Sequence, residues 1–143
     1  MKRELSDLKQ SHTKPVVFTA GVSKDLVVPQ GGVVTFDLLL TSVGGGYNVS
    51  TGVFTCPQAG YYMFHIHALG QKDKPVEVLL SHNDKNVVSL LAIFQLDFQT
   101  GSNSASLKLE TGDTVKVVTD AQSYIYGYMF PFATFSGQLV ALV

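Results

Sequence analysis

Residues 60–68 read Gly-Tyr-Tyr-Met-Phe-His-Ile-His-Ala and sort by parity: Tyr62, Phe64, Ile66 and Ala68 on one side, Tyr61, Met63, His65 and His67 on the other. A period of two is the repeat of a β-strand and does not fit a helical stripe. One side is wholly apolar and has to be buried against a second layer, so the chain must build a sheet with a core on one of its faces. Upstream, Pro57 cannot donate to a ladder and Gly60 is free to turn, which makes residues 56–60 a corner between a short strand at 53–55 and the long one. The opposite side sets Tyr61 and Met63 beside two histidines where a solvated surface would carry charge, so that face is expected to be covered as well.

With 143 residues, one domain can bury a core of its own without a metal or disulfide staple. Only 15% of the residues are charged, where about 25% is usual, so much of the surface is neutral or covered by a partner. The net charge of −1 is spread over interleaved signs, which leaves no footprint for nucleic acid or an anionic membrane. No run approaches the roughly 18 to 20 apolar residues of a membrane span, and the charged first residues are not a signal peptide, so no membrane insertion is expected. Cys56 is the only cysteine and reads as a small buried packing residue at the corner.

Taken in order, residues 1–14 form a polar tail in which Leu5 and Leu8 make at most a short amphipathic turn, too short to be stable alone. Residues 16–20 open the domain as a strand, and 27–33 read as an edge piece and a turn. Phe36, Leu38 and Leu40 are expected to point inward, with Asp37 opposite. Residues 42–50 read as a loop; Gly44, Gly45 and Gly46 are followed by no Lys-Ser/Thr pair and no helix, which excludes a phosphate-binding loop. Residues 71–75 and 82–86 read as turns around a strand carrying Val76, Val78 and Leu80. Residues 87–98 read as a long buried strand and 99–104 as a polar loop. Leu107 and Leu109, Gly112, and Val115 and Val117 read as a hairpin. After a turn at 120–123, residues 132–143 read as a central strand covered on both faces. Short strands at roughly ten-residue spacing, with no convincing helix, indicate an all-β sandwich.

Tyr47, Asn48, Thr51, Gly52, Phe54, Thr55, Cys56, Pro57, Ala59, Gly60, Tyr62, Phe64 and His67, in this order and spacing, resemble the signature of the complement C1q globular-head domain. Residues 17–20, Phe36-Asp37, Leu107 to Leu109, Gly112-Asp113, Val115 and Thr134-Phe135-Ser136-Gly137 extend the resemblance over residues 15–143. The resemblance implies a ten-stranded jelly-roll β-sandwich of the kind shared with tumour necrosis factor ligands, secreted and assembled as a homotrimer. It divides the chain into a tail or end of stalk at 1–14 and a C1q-like globular domain at 15–143. No Gly-X-Y repeat is present, so the chain carries no collagen arm within this sequence.

Catalysis is not expected. The acidic residues are single rather than paired, Ser136 lacks a nucleophile elbow because position 134 is Thr, and no zinc-protease or dinucleotide motif occurs. Tyr61, Met63, His65 and His67 are the candidate trimer interface, and protonation of the two histidines is expected to loosen it. The same pair is spaced to share a metal ion, but a zinc site needs a third ligand, and neither His12 nor His82 has a sequence reason to lie near; the metal is left unknown. Function then falls to binding by loops on a rigid scaffold. Lys72, Asp73, Lys74, Asn83, Asp84, Lys85, Asn103 and Tyr124 are the candidate ligand contacts. No cofactor is required; calcium remains open, with Asp73, Asp84 and Asp120 as candidate oxygen ligands. Asn48 heads a glycosylation sequon. The resemblance points to lectin-like pattern recognition of microbial carbohydrate or lipopolysaccharide in innate immunity, with trimer avidity strengthening individually weak sites. The alternative is a secreted ligand for a cell-surface receptor.

Overall fold

A computed structural model describes residues 14–92 and 100–143; the expected amphipathic turn in the tail and the last part of the strand expected at 87–98 lie outside the described residues. The described chain is all β: β1 (Val17–Gly21), β2 (Leu26–Val28), β3 (Leu38–Val43), β4 (Tyr47–Asn48), β5 (Val53–Thr55), β6 (Gly60–Leu69), β7 (Val76–His82), β8 (Lys85–Ala92), β9 (Thr100–Leu109), β10 (Thr114–Thr119), β11 (Ser123–Ile125) and β12 (Thr134–Leu142). One five-stranded sheet has the order β3-β1-β12-β6-β9 and the other β4-β5-β10-β7-β8, while β2 and β11 pair separately. These ten main strands, all paired antiparallel, make the expected jelly-roll sandwich.

The parity of β6 decides what fills the space between the sheets. Tyr62, Phe64 and Ile66 are buried, and beside them Phe18, Tyr47, Phe54 and Phe135 complete an aromatic core. Phe18 stacks on Tyr47 at 5.0 Å and on Phe54 at 5.2 Å and meets Phe135 edge-on at 5.0 Å. Offset and edge-on pairs of this kind add about 0.5–1.5 kcal/mol each beyond the area they bury. The rings fit because Gly137 of β12 lies opposite Phe64 of β6 and Phe18 of β1 and presents no side chain to them. Tyr47 spends its hydroxyl on Phe36, donating to the carbonyl and accepting from the amide, each at 2.9 Å. Burial holds that phenol up at about 12.

The 56–60 corner carries the chain from one sheet to the other, as expected. Cys56 is buried and its Sγ donates to the Gln58 carbonyl at 3.2 Å. The Cys56 amide bonds the Asp113 carbonyl and its carbonyl accepts from Gly112, both at 2.8 Å, so this corner is stitched to the 110–113 turn. That second connection corrects the expected hairpin: Leu107 and Leu109 belong to β9 in one sheet and Val115 and Val117 to β10 in the other. Gly112 turns the chain across the sandwich rather than back along it.

Five further expectations change. Leu38 and Leu40 do not join Phe36 in the core, because β3 is an edge strand with a register shift opposite Thr19 and Ala20. The loop expected at 42–50 is partly strand, with the glycine turn confined to residues 44–46 between β3 and β4. Edge strand β8 starts at Lys85 and is mostly exposed, Leu91 at 59%, with Leu90 and Ala92 buried. The polar residues 100–104 are strand, not loop: β9 pairs with β6 along its whole length, and a row of serines fits a face that is not core. β12 is central, but in the single chain only one of its faces is covered, and Val140 is 61% exposed.

Candidate functional site

Two surfaces carry the residues singled out in the sequence. The first is the outward face of the β3-β1-β12-β6-β9 sheet. Register places His65 between Ser104 and Ser136 and continues the row to Thr19 and Thr41, and it places His67 between Ser102 and Thr134. Met63 lies between Ser106 and Gln138, with the Ser106 hydroxyl 3.4 Å from its sulfur, and Tyr61 lies beside Lys108. Tyr61 is 45% exposed and His67 is exposed, while Met63 and His65 are half-buried. All four candidate interface residues therefore share one broad, flat face of small hydroxyls, imidazoles and apolar groups.

The candidate ligand contacts divide between the two ends of β7. At its start, Lys72, Asp73 and Lys74 form a turn in which Asp73 takes a left-handed φ of 60°. Gln71 donates its amide to the Tyr124 carbonyl at 2.9 Å, and the Lys74 ammonium stands 5.2 Å from the centre of the Tyr124 ring. Turn and tyrosine are thus brought together, through the pairing of β11 with β2 beside the sheets. At the other end, Asn83 and Asp84 take φ of 49° and 65°, the backbone expected of Asn and Asp in a tight turn. Asn103 sits elsewhere, on β9, where its amide nitrogen donates to the Ser89 carbonyl of β8 at 2.8 Å and ties the two sheets together along one side. Asn48 is exposed, and its side-chain oxygen accepts from the Ser50 amide at 2.8 Å.

The β7–β8 turn is braced by His82, Asp113 and Thr114, none of them among the candidate ligand contacts. His82 meets Asp113 at 2.9 Å, and the Thr114 amide donates to the Asn83 side chain at 2.9 Å. The hydrogen bond from His82, then those from the Glu110 amide and Asn83, pull the Asp113 carboxyl down to about 2. Next to this brace, Lys116 pairs with Asp84 at 2.9 Å. Beyond it a groove of about 340 Å³ runs over the outward face of the second sheet. Leu79 and Val118 form its floor, and Gln30, Asn86, Lys116 and Asp120 edge it together with Asp84. Of the eight candidate ligand contacts only Asp84 reaches this groove, joined by Asp120 from the candidate oxygen ligands. Its other edge residues come from separate turns and strands, whose meeting depends on β10 lying beside β7. Among the described residues no three His, Cys, Asp or Glu side chains gather into a metal cage, so Asp73, Asp84 and Asp120 are not brought together as a group.

One more feature escaped the sequence reading. Between β11 and β12, Tyr126 and Tyr128 pack against Phe132, and Tyr128 meets Phe130, which is 71% exposed. The Asp25 carboxylate anchors this segment by accepting from the Gly127 amide at 2.9 Å. The Tyr126 amide donates to the Leu69 carbonyl of β6 at 2.7 Å and the Tyr128 amide to the Val22 carbonyl at 3.1 Å, which ties the segment to the chain around it.

The ten-stranded jelly roll is the fold of C1q and tumour necrosis factor domains, a class generally without catalytic activity. The C1q domain family matches residues 17–140, and the chain belongs to that family. It is 37% identical over 109 residues to Caprin-2 of Danio rerio, covering 75% of this chain and 12% of that protein. It is 30% identical over 132 residues to a complement C1q subcomponent of Rattus norvegicus, covering 92% of this chain and 52% of that one. The chain therefore spans about half or less of each of these relatives. Among solved structures, the globular domain of zebrafish complement 1qA superposes with a TM-score of 0.75 at 22% identity, covering 90% of this chain and 99% of that domain. The Eiger tumour necrosis factor of S. frugiperda superposes at 0.76 with 10% identity, covering 92% and 96%. Among the described residues no helix is long and apolar enough to cross a membrane.

Proposed function

We propose that this protein is a secreted, trimeric recognition module that binds microbial carbohydrate, including the sugar portion of lipopolysaccharide, in a lectin-like manner. The groove over β7 and β10 carries this reading. Its carboxylate, amide and ammonium edges suit sugar hydroxyls, and its Leu79 and Val118 floor suits the apolar face of a pyranose ring. A shallow groove of this size holds only a few sugars weakly. Trimerisation through the Tyr61, Met63, His65 and His67 face presents three grooves on one particle, and effective concentration supplies the avidity. The Lys72-to-Lys74 turn and Tyr124 form a second polar patch at the far end of β7, available to a longer glycan. The sequon at Asn48 is exposed and accessible to the glycosylation machinery of a secreted chain.

Binding to an array of microbial glycans tests the reading. Binding competed by free sugar and weakened about tenfold by Asn86→Ala, roughly 1.4 kcal/mol per site, is the expected result. Saturable binding to a purified receptor ectodomain, with no glycan retained on the array, would replace this reading with that of a receptor ligand.

A further inference from the structure

We infer that the groove over β7 and β10 selects glycans that carry a free amino group, such as unacetylated glucosamine, and that the Asp120 carboxylate is the group that reads this charge. The inference rests on the groove being the glycan site, and it follows from an asymmetry of charge along it. At one end the Lys116 ammonium is taken by Asp84 at 2.9 Å, so these two edge groups offer a neutral pair. Asp120 edges the other end, four residues along an extended chain from Lys116, or about 13 Å. Exposed charges so far apart are largely screened from each other, because the screening length at physiological salt is about 8 Å. Among the described residues no hydrogen bond or ion pair takes up the Asp120 carboxylate. Glu77, on the same side of β7 as Leu79, adds a second unpaired carboxylate beside this end. Lys74 leaves both acids unopposed, since its ammonium stands over the Tyr124 ring, 5.2 Å from the centre.

The backbone around the free carboxylate is fixed in advance. The Asp120 amide donates to the Glu77 carbonyl at 2.9 Å, and the Gly31 amide to the Thr119 carbonyl at 3.0 Å. The Thr119 hydroxyl donates to the Pro29 carbonyl at 2.6 Å, so the strap at 29–32 and the end of β10 form one stitched wall. Little ordering is then left to be done on binding. The rest of the groove calls for a sugar ring behind the cation: Leu79 and Val118 give an apolar floor, and Gln30 and Asn86 give amides for hydroxyls. An acidic sugar fares worse at both ends, because it has to draw Lys116 away from Asp84 and also meets Asp120.

The test is calorimetric titration of the protein with two β1,4-linked tetramers of one backbone, glucosamine and N-acetylglucosamine, at a pH between the ordinary carboxylate and amine ranges. Taking the ratio of the two affinities on one sample cancels any change in assembly. The glucosamine tetramer should bind at least about threefold tighter, within the range of a solvent-exposed ion pair, and added salt should shrink the ratio. Asp120→Asn keeps the shape of the side chain and strands no partner, and it should bring the ratio close to one. Lys116→Gln releases Asp84 as a second acid in the groove and should widen it. Equal binding of the two tetramers, a preference that survives Asp120→Asn, or tetralysine binding as tightly as the glucosamine tetramer would overturn the selection. The glycan groove itself would still stand if neutral glycans bind and Asn86→Ala weakens them. Binding of neither tetramer also overturns the selection, and the groove reading falls with it if no neutral glycan is retained.

Discussion

Replacing Gly137 by Ala tests the packing argument most directly, since one methyl group is added where β12 meets the rings of Phe64 and Phe18. A Cβ at Gly137 would stand 2.6 Å from Cε1 of Phe64 and 2.7 Å from Cε1 of Phe18, where carbon atoms prefer about 3.5–4.0 Å. Neither ring has room to retreat. Phe18 is wedged between Tyr47, Phe54 and Phe135, and Phe64 between Tyr62, Phe54 and Phe135. Overpacking of a closed core costs about 1–3 kcal/mol, and with two immobile neighbours the upper end applies. Gly45→Ala is the matched control: it takes a left-handed φ of 76° but meets nothing within 4 Å, so its cost is the backbone cost alone, about 1–2 kcal/mol. Urea unfolding at one fixed protein concentration reads both variants, because the proposed assembly would make the midpoint concentration-dependent. Gly137→Ala should lose about 3 kcal/mol at an unchanged slope, or roughly 10 °C in thermal midpoint. A loss below about 0.5 kcal/mol would refute the claim that this glycine exists to admit the aromatic core.

Met63→Glu places a carboxylate in the middle of the outward face of β6, and burying an unpaired charge costs several kcal/mol; light scattering should show the proposed trimer dissociating to lower mass, and an unchanged mass would remove this face from the interface. Tyr47→Phe strands the buried amide and carbonyl of Phe36 and should cost about 1–3 kcal/mol by chemical denaturation. The Asp113 carboxyl ionises near 2 in the folded chain, below its ordinary 3.8. Its contribution to stability is therefore complete above pH 4 and lost as pH falls towards 2, and Asp113→Asn should flatten the acid limb of the stability profile in that window.

Much of the fold could be read from β6 and the corner before it, because a strict period of two and a proline-glycine corner are local signals. The same locality explains the errors. Leu107 to Val117 has every mark of a hairpin, and only the pairing of β9 with β6 and of β10 with β7 reveals that the turn crosses between sheets. The serines of β9 look like a loop because hydroxyl-bearing residues usually face water in turns; here they form the polar side of a strand whose other side meets the core. Leu40 and Leu91 look like core because apolar residues usually are, yet both lie on edge strands. The four candidate interface residues could be placed on one face from parity alone. The groove could not, since Gln30, Asn86, Lys116 and Asp120 are far apart in sequence and meet only through sheet order.

The order β3-β1-β12-β6-β9 places the final strand in the middle. Until residues 134–142 have been synthesised, β1 and β6 each present an unpaired edge, and the Phe18, Phe64 and Phe135 cluster lacks a member. A nascent chain thus cannot close its core progressively from the amino end as a helical bundle can. It must hold about 120 residues of unfinished sandwich until β12 has emerged, and then close the core in one step through contacts of high sequence separation. Its exposure to aggregation and its dependence on chaperones during synthesis are set by the position of one strand, whatever the stability of the finished sandwich.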